Sequence, residues 1–345
     1  MNNKKISLIL IFSICLMTFA LANGVKENIN KNENQISVVT TIFPCYDMVR
    51  AITTGEIDGV SGAFTGALPN NIRLLVKPGT EVHSFDPSPQ DIIAIKNADI
   101  FVYIGGESDE WVEEILESMD SSNVVLVRLM DYVQLYEEEH FEDDEHEAEH
   151  HQEDEHNHDH EEGEAEPDEH IWTSPENEKL LVEAVAKALI SVDKNKYNGN
   201  LSEEYRTNAD NYIGFITEIE NNFSTVMKSK NNPFMIIGDR FPIRYFAEQY
   251  SLGYTAAFSG CSTAVEVSTA TIARLIDTAK EKNVPSVFTI ELSNQKIAKV
   301  IAEATNTQVL EFHTVHNVTK KDFEEGVTWV SLMKKNVTQI EKGLK

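Results

Sequence analysis

A chain of 345 residues with 41% apolar content has material for about two ordinary domains, because one hydrophobic core rarely serves a chain this long. A formal net charge of −28 argues against a nucleic-acid partner, which needs a basic face. The charge is also local: Glu137 to Glu169 hold 19 of the 57 carboxylates and neither Lys nor Arg, so the remainder is only mildly acidic.

In chain order, Lys4 and Lys5 precede the apolar run Ile6 to Ala22, which ends in Ala20-Leu21-Ala22. A basic start, an apolar stretch and a small-x-small end predict a secretory signal peptide over 1–22, removed after Ala22. A retained anchor needs ~20 apolar residues, and this run is shorter. Cys15 offers a point of lipid attachment, but Ile14 before it and Leu16-Met17 after it are not the small-then-polar setting that attachment requires. No other stretch is long and apolar enough to span a bilayer, so the expected location is exported, periplasmic or extracytoplasmic. Residues 23–35 read as a flexible polar leader.

The β-branched run from Ile36 predicts a buried strand, followed by a helix near Tyr46 to Ile52. Ile72 to Val76 is a second strand, closed by Pro78-Gly79. Ser88, Pro89 and Asp91 supply a cap, a first-turn proline and an acid at the third helical position, so a helix begins there. It leads into the strand Ile100 to Ile104. Strand, helix and strand in this order predict a parallel sheet, and the helix around Glu110 to Met119 and the strand at Val124 to Leu129 continue it. Order resumes at Asp168, where Ser174-Pro175 repeats the cap-then-proline signal, and a second long helix runs from Ser202 to about Lys228. Strands at Phe234 to Ile237, Ser286 to Ile290 and Gln308 to Phe312, with helices between them and a last helix around Val330 to Ile340, make a second α/β lobe. The expected organisation is an N-terminal lobe over 36–192, a linking helix over 193–230 and a C-terminal lobe over 231–345, with a ligand cleft between the lobes.

Glu137 to Glu169 has too few apolar residues to offset its ordering entropy and is expected to be disordered. Its histidines alternate with carboxylates, a composition suited to weak metal collection.

Of eleven histidines, eight lie between His140 and His170. His83 sits between a strand and the next helix, at the carboxyl edge where open α/β sheets bind ligands. His170 precedes a helix, His313 directly follows a strand, and Cys261 follows another. Imidazole and thiolate donors suit zinc better than manganese.

The stretch Gly79-Thr-Glu-Val-His-Ser-Phe-Asp-Pro-Ser-Pro-Gln-Asp91, the block Asp168-Glu-His-Ile-Trp-Thr-Ser-Pro-Glu-Asn177 and the acidic insert between them resemble the zinc and manganese solute-binding proteins of ABC importers, the cluster A-I family. The resemblance runs from about Ile36 to Leu344. It implies two α/β lobes around a metal cleft, with His83 and His170 as ligands from the first lobe. The second lobe departs from the pattern. The histidine that usually follows the strand resembling Phe234 to Ile237 is absent from Gly238-Asp239-Arg240-Phe241, and the late acidic ligand falls on His313. The expected metal site is therefore His83, His170 and His313, with Cys261 as fourth donor; Glu266, Asp239 and His316 are the alternatives. A disulfide between Cys45 and Cys261 is the competing use of that thiol.

What the resemblance implies is a monomeric, non-enzymatic carrier that captures a divalent ion, zinc ahead of manganese, and hands it to an ABC permease and its ATPase. Surface adhesion and metal storage are other uses of such a chain. Zinc hydrolysis lacks its signature, since no His-Glu-x-x-His occurs.

Overall fold

The structure, a computed structural model, describes residues 35–58, 71–118, 123–141, 166–261 and 267–345. The expected signal peptide, Cys15, nearly all of the leader, the middle of the acidic tract and Glu266 lie outside the described residues.

Two four-stranded sheets carry the fold, and every pairing in them is parallel. In the first, β1 (Val38–Thr40), β2 (Ile72–Leu74), β3 (Ile100–Tyr103) and β4 (Val125–Arg128) stand in the order β2-β1-β3-β4. In the second, β5 (Phe234–Arg240), β6 (Gly253–Phe258), β7 (Ser286–Thr289) and β8 (Gln308–Glu311) stand in the order β6-β5-β7-β8. Counted within each sheet the order is the same, so both have their topological switch beside the first strand, and ligands bind at the carboxyl ends there. β1 and β3 are buried along their whole length, as expected for strands covered on both faces.

The helices follow the local signals. α1 (Phe43–Thr54) takes Pro44 in its first turn and ends at Gly55, whose φ of 73° suits a residue without Cβ. α2 (Pro89–Asn97) starts at Ser88, where a capping box with Asp91 satisfies both end amides. α3 (Glu110–Ser118) leads to β4. α4 (Pro175–Lys196) is capped by the Ser174 hydroxyl, which accepts from the Asn177 amide. The long α5 (Ser202–Lys228) packs on α4, on α1 from the first lobe and on the last helix. The second sheet is covered by α6 (Arg244–Tyr250), α7 (Thr269–Lys282) and α8 (Lys296–Thr305), then the short α9 (Lys320–Glu324) and α10 (Trp329–Gly343). Gly238 is required where α8 crosses β5, because a Cβ there would lie 2.5 Å from the Ala298 backbone.

One large apolar cluster runs through α1, α4, α5, α6 and α10 and joins the inner faces of both sheets, while a smaller cluster fills the outer layer of each lobe. Embedded in the large cluster is a polar knot. Asp47 is paired with Arg50, accepts the Trp329 amide at 2.8 Å and faces the Tyr212 hydroxyl at 3.3 Å. Glu178 takes the other side of that hydroxyl, and burial beside Asp47 drives its carboxyl well above the ordinary range. Cys45 and Cys261 are both free and buried, so the alternative disulfide is not present. Among the described residues no helix is long and apolar enough to cross a membrane.

The ends of the acidic tract are ordered, contrary to the expectation of disorder across 137–169. Glu137 and Pro167 form an antiparallel bridge, flanked by hydrogen bonds from the Glu138 amide to the Glu166 carbonyl and from the Asp168 amide to the Tyr136 carbonyl, both 2.9 Å. Backbone pairing needs no apolar side chains, which is why composition did not reveal it.

Candidate metal centre

Four side chains converge at the carboxyl ends of the strands: His83, Glu169, His170 and His316, with one potential ligand atom from each lying within 4.8 Å of the others. The three imidazoles form a triangle, with ring centroids 6.0 Å apart for His83 and His170, 5.1 Å for His83 and His316, and 5.0 Å for His170 and His316. Trp172 closes one side, 5.0 Å from the His316 ring.

Each first-lobe ligand is aimed by hydrogen bonds. His170 sits at the start of a single 3-10 turn, Ile171–Thr173, just before α4. Asp168 receives the His170 backbone amide at 2.8 Å and lies 3.1 Å from its Nδ1, so Nδ1 carries the proton and Nε2 keeps its lone pair. That Nε2 is buried and without a partner among the described residues. Asp168 is itself held by the Tyr245 hydroxyl, which donates to its carbonyl at 2.7 Å. Ser108, in the loop after β3, donates its hydroxyl to Glu169 Oε1 at 2.6 Å and its amide to Oε2 at 2.9 Å. With the Ser108 proton spent on Glu169, the contact of 2.9 Å to His83 Nδ1 must be donated by the imidazole. His83 Nε2 is thereby left as the free acceptor.

His316 arrives from the second lobe. After β8 the chain turns through Val315, whose φ of 65° is unfavourable for a β-branched residue. Glu291, just past β7, compels that turn: its carboxylate accepts the Thr314 amide at 2.7 Å, the Thr314 hydroxyl at 2.6 Å and the His316 amide at 3.0 Å. His316 Nε2 is also buried without a partner among the described residues.

Charge favours lone pairs. Burial, with the neighbouring His170 and Arg240, pulls His83 down to about 3, and burial beside His170 and His83 pulls His316 well below its ordinary value. Burial also lowers His170, but the charge and hydrogen bond of Asp168 outweigh it and leave a net rise. Three rings this close cannot all hold protons, so two are neutral donors at pH 7.

The structure brings His83 and His170 together as expected and places the other two expected ligands elsewhere. His313 Nδ1 accepts the Val315 amide at 3.0 Å, and its backbone exchanges two hydrogen bonds with the Asn336 side chain. It is a staple for the loop, and the ring that reaches the cluster is His316, three residues on. Cys261 lies with Glu107 and Glu138 in a separate group. Asp239 is occupied by the Thr289 hydroxyl at 3.0 Å and the Arg240 amide at 3.2 Å. Glu169 does not stand out in the sequence because carboxylates abound in its neighbourhood; its position directly before His170 is the available signal. For His316 the signal is the His-x-x-His spacing after β8, in which the nearer histidine abuts the strand and the farther one reaches the cluster.

With three imidazoles and one carboxylate, the cluster has the donor types and number of a tetrahedral zinc site. Residues 38–343 match the family described as "ZnuA: Zinc-uptake complex component A periplasmic". A "High-affinity zinc uptake system protein ZnuA" of Bacillus subtilis (strain 168) is 26% identical over 343 residues, covering 99% of this chain and 98% of the relative. A "Zinc-binding lipoprotein AdcA" of Streptococcus pneumoniae (strain ATCC BAA-255 / R6) is 25% identical over 340 residues, which is 98% of this chain but 61% of that protein. Among solved structures, the metal-dependent lipoprotein YcdH from Bacillus subtilis shares the fold with a TM-score of 0.69 at 23% identity, covering 90% of this chain and 100% of that one. The resemblance read from the His83 and His170 blocks is borne out, and the chain belongs to the family of zinc-uptake complex component A, periplasmic.

Proposed function

We propose that the chain is the extracytoplasmic solute-binding subunit of an ABC importer and carries one zinc ion on His83, His170, His316 and Glu169 to a membrane permease and its ATPase. The observation that carries the reading is the pair of buried Nε2 atoms of His170 and His316, unpartnered among the described residues, inside a three-histidine cluster. A buried polar atom without a partner is costly, and a metal ion relieves both at once. Three imidazoles with one carboxylate favour zinc over manganese, which prefers an oxygen-rich shell. Zinc in the names of these relatives supports the same ion.

The test is metal analysis with competitive zinc titration of protein lacking residues 142–165, which removes the weak ligands of the tract. The expected result is one zinc held more tightly than any other, lost in His316→Ala and kept in His313→Ala. Loss in His313→Ala with retention in His316→Ala would overturn the ligand set, and absence of tight zinc in the parent protein would overturn the function.

A further inference from the structure

A second group of potential ligands stands apart from the histidine cluster: Glu107, Glu138 and Cys261, with one potential ligand atom from each lying within 4.8 Å of the others. Two cysteines in the described residues allow a direct comparison. Cys45 is a member of the large apolar cluster, where a thiol serves as small filler. Cys261 is also buried, 7% exposed, yet it belongs to none of the three apolar clusters. Its neighbours are the carboxylates of Glu107 and Glu138.

The geometry holds the group together. The Cys261 amide donates to Glu138 Oε1 at 2.7 Å, fixing that carboxylate over the turn. Gly260 presses this turn against the first site, since a Cβ there would meet the His170 ring at 3.2 Å. The charges that act on Glu107 are Glu166, Glu138, Glu169 and Glu110, all negative. Those acting on Cys261 are Glu169, Glu138, Asp168 and Glu107, again all negative. Glu138 and Glu166 also close the ladder at the base of the acidic tract. Glu138 faces Asp168 on the negative side and His170 and His140 on the positive side; the carboxylates around the sulfur outnumber these imidazoles, a setting that a cation stabilises.

We propose that Glu107, Glu138 and Cys261 form a second divalent-metal site, made of one thiolate and two carboxylates, at the base of the acidic tract beside the histidine cluster. Thiolate with carboxylate selects a borderline ion such as zinc over calcium or magnesium. Binding releases the thiol proton to solvent, because the ligand is the thiolate.

Cobalt(II) titration of the full chain tests this, since only a sulfur ligand produces the near-ultraviolet sulfur-to-cobalt charge-transfer band. The band is expected to saturate in the unaltered protein, to vanish in Cys261→Ser and to persist in Cys15→Ser and Cys45→Ser. Glu107→Gln and Glu138→Gln are expected to raise the cobalt concentration at half-saturation about tenfold or more. His316→Ala, which removes a ligand of the first site, is expected to leave the band in place. A band that survives Cys261→Ser, or no band at all, would overturn the proposal. Loss of the band in His316→Ala would also overturn it, by assigning the thiolate to the histidine site. Retention of the visible cobalt bands of the histidine cluster in Cys261→Ser shows that this variant is folded and separates failure of the second site from failure of the first.

Discussion

The two lobes share one strand order and divide the candidate metal centre unequally. The first contributes His83, Glu169 and His170, each positioned by a short hydrogen bond to Ser108 or Asp168. Among the described residues the second contributes only His316, on a loop folded around Glu291. The first lobe thus holds a nearly complete donor set in local turns. The second supplies the donor that completes it, through a backbone conformation that its own sequence disfavours. Strand order alone does not distinguish these loops; the carboxylates that organise them do.

The largest effect that bears on this asymmetry concerns the contact that ties the lobes together. Asp47 on α1 is paired with Arg50 and accepts the Trp329 amide at the start of α10. Asp47→Ala leaves a buried guanidinium and an amide uncompensated and is expected to cost roughly 3–5 kcal/mol. The measurement is the urea midpoint of the metal-free protein, with an unchanged denaturant slope. A loss under 1 kcal/mol would mean that the lobes are joined chiefly by apolar packing.

Next comes the carboxylate that aims His170. Asp168→Asn keeps the shape but weakens the hold on Nδ1–H, and zinc affinity is expected to fall about 10- to 100-fold. If Glu291→Gln costs more than Asp168→Asn in the same titration, the second lobe is the more dependent on its organising carboxylate, and the asymmetry sharpens.

Smaller still is the indole bridge. Trp172 Nε1 donates to the Thr314 carbonyl at 2.8 Å, so first-lobe residue and second-lobe loop are directly linked. Trp172→Phe removes that bond at the cost of about 1 kcal/mol in chemical denaturation, with zinc stoichiometry unchanged. A change in stoichiometry would show that the bridge also sets the site.

The mildest is a slope against pH. Burial and the nearby Glu169 raise Asp109 from its ordinary 3.8 to about 7. Its folded value lies above its unfolded one, so folding takes up a proton. The stabilisation is full below 3.8 and declines as pH rises through 7. The metal-free protein is expected to lose stability from pH 5 to pH 8, and Asp109→Asn, which can still accept the Ile104 and Gly105 amides, should flatten that slope. An unchanged slope in the variant would assign the pH dependence to other groups.

Much of this organisation was legible in the chain itself. Ser88 with Pro89 and Ser174 with Pro175 announced α2 and α4 to the residue, because a cap hydroxyl and a proline act on the nearest amides. The alternation of strand and helix led to two parallel α/β lobes, since a parallel strand requires a crossover. His83 and His170 were identifiable because each lies next to such a signal, in a block that resembles a known family. What only the tertiary structure decided is how the second lobe completes the centre. His313 and His316 are alike in the sequence. Glu291 and Asn336, 22 and 23 residues from His313 in opposite directions, determine that one staples the loop and the other faces the cleft. The same holds for Cys261, whose carboxylate neighbours come from Glu107 and Glu138, more than a hundred residues earlier. Local signals specify an element because the forces act within a turn of chain; a metal centre is built from loop ends that meet only after both sheets have formed.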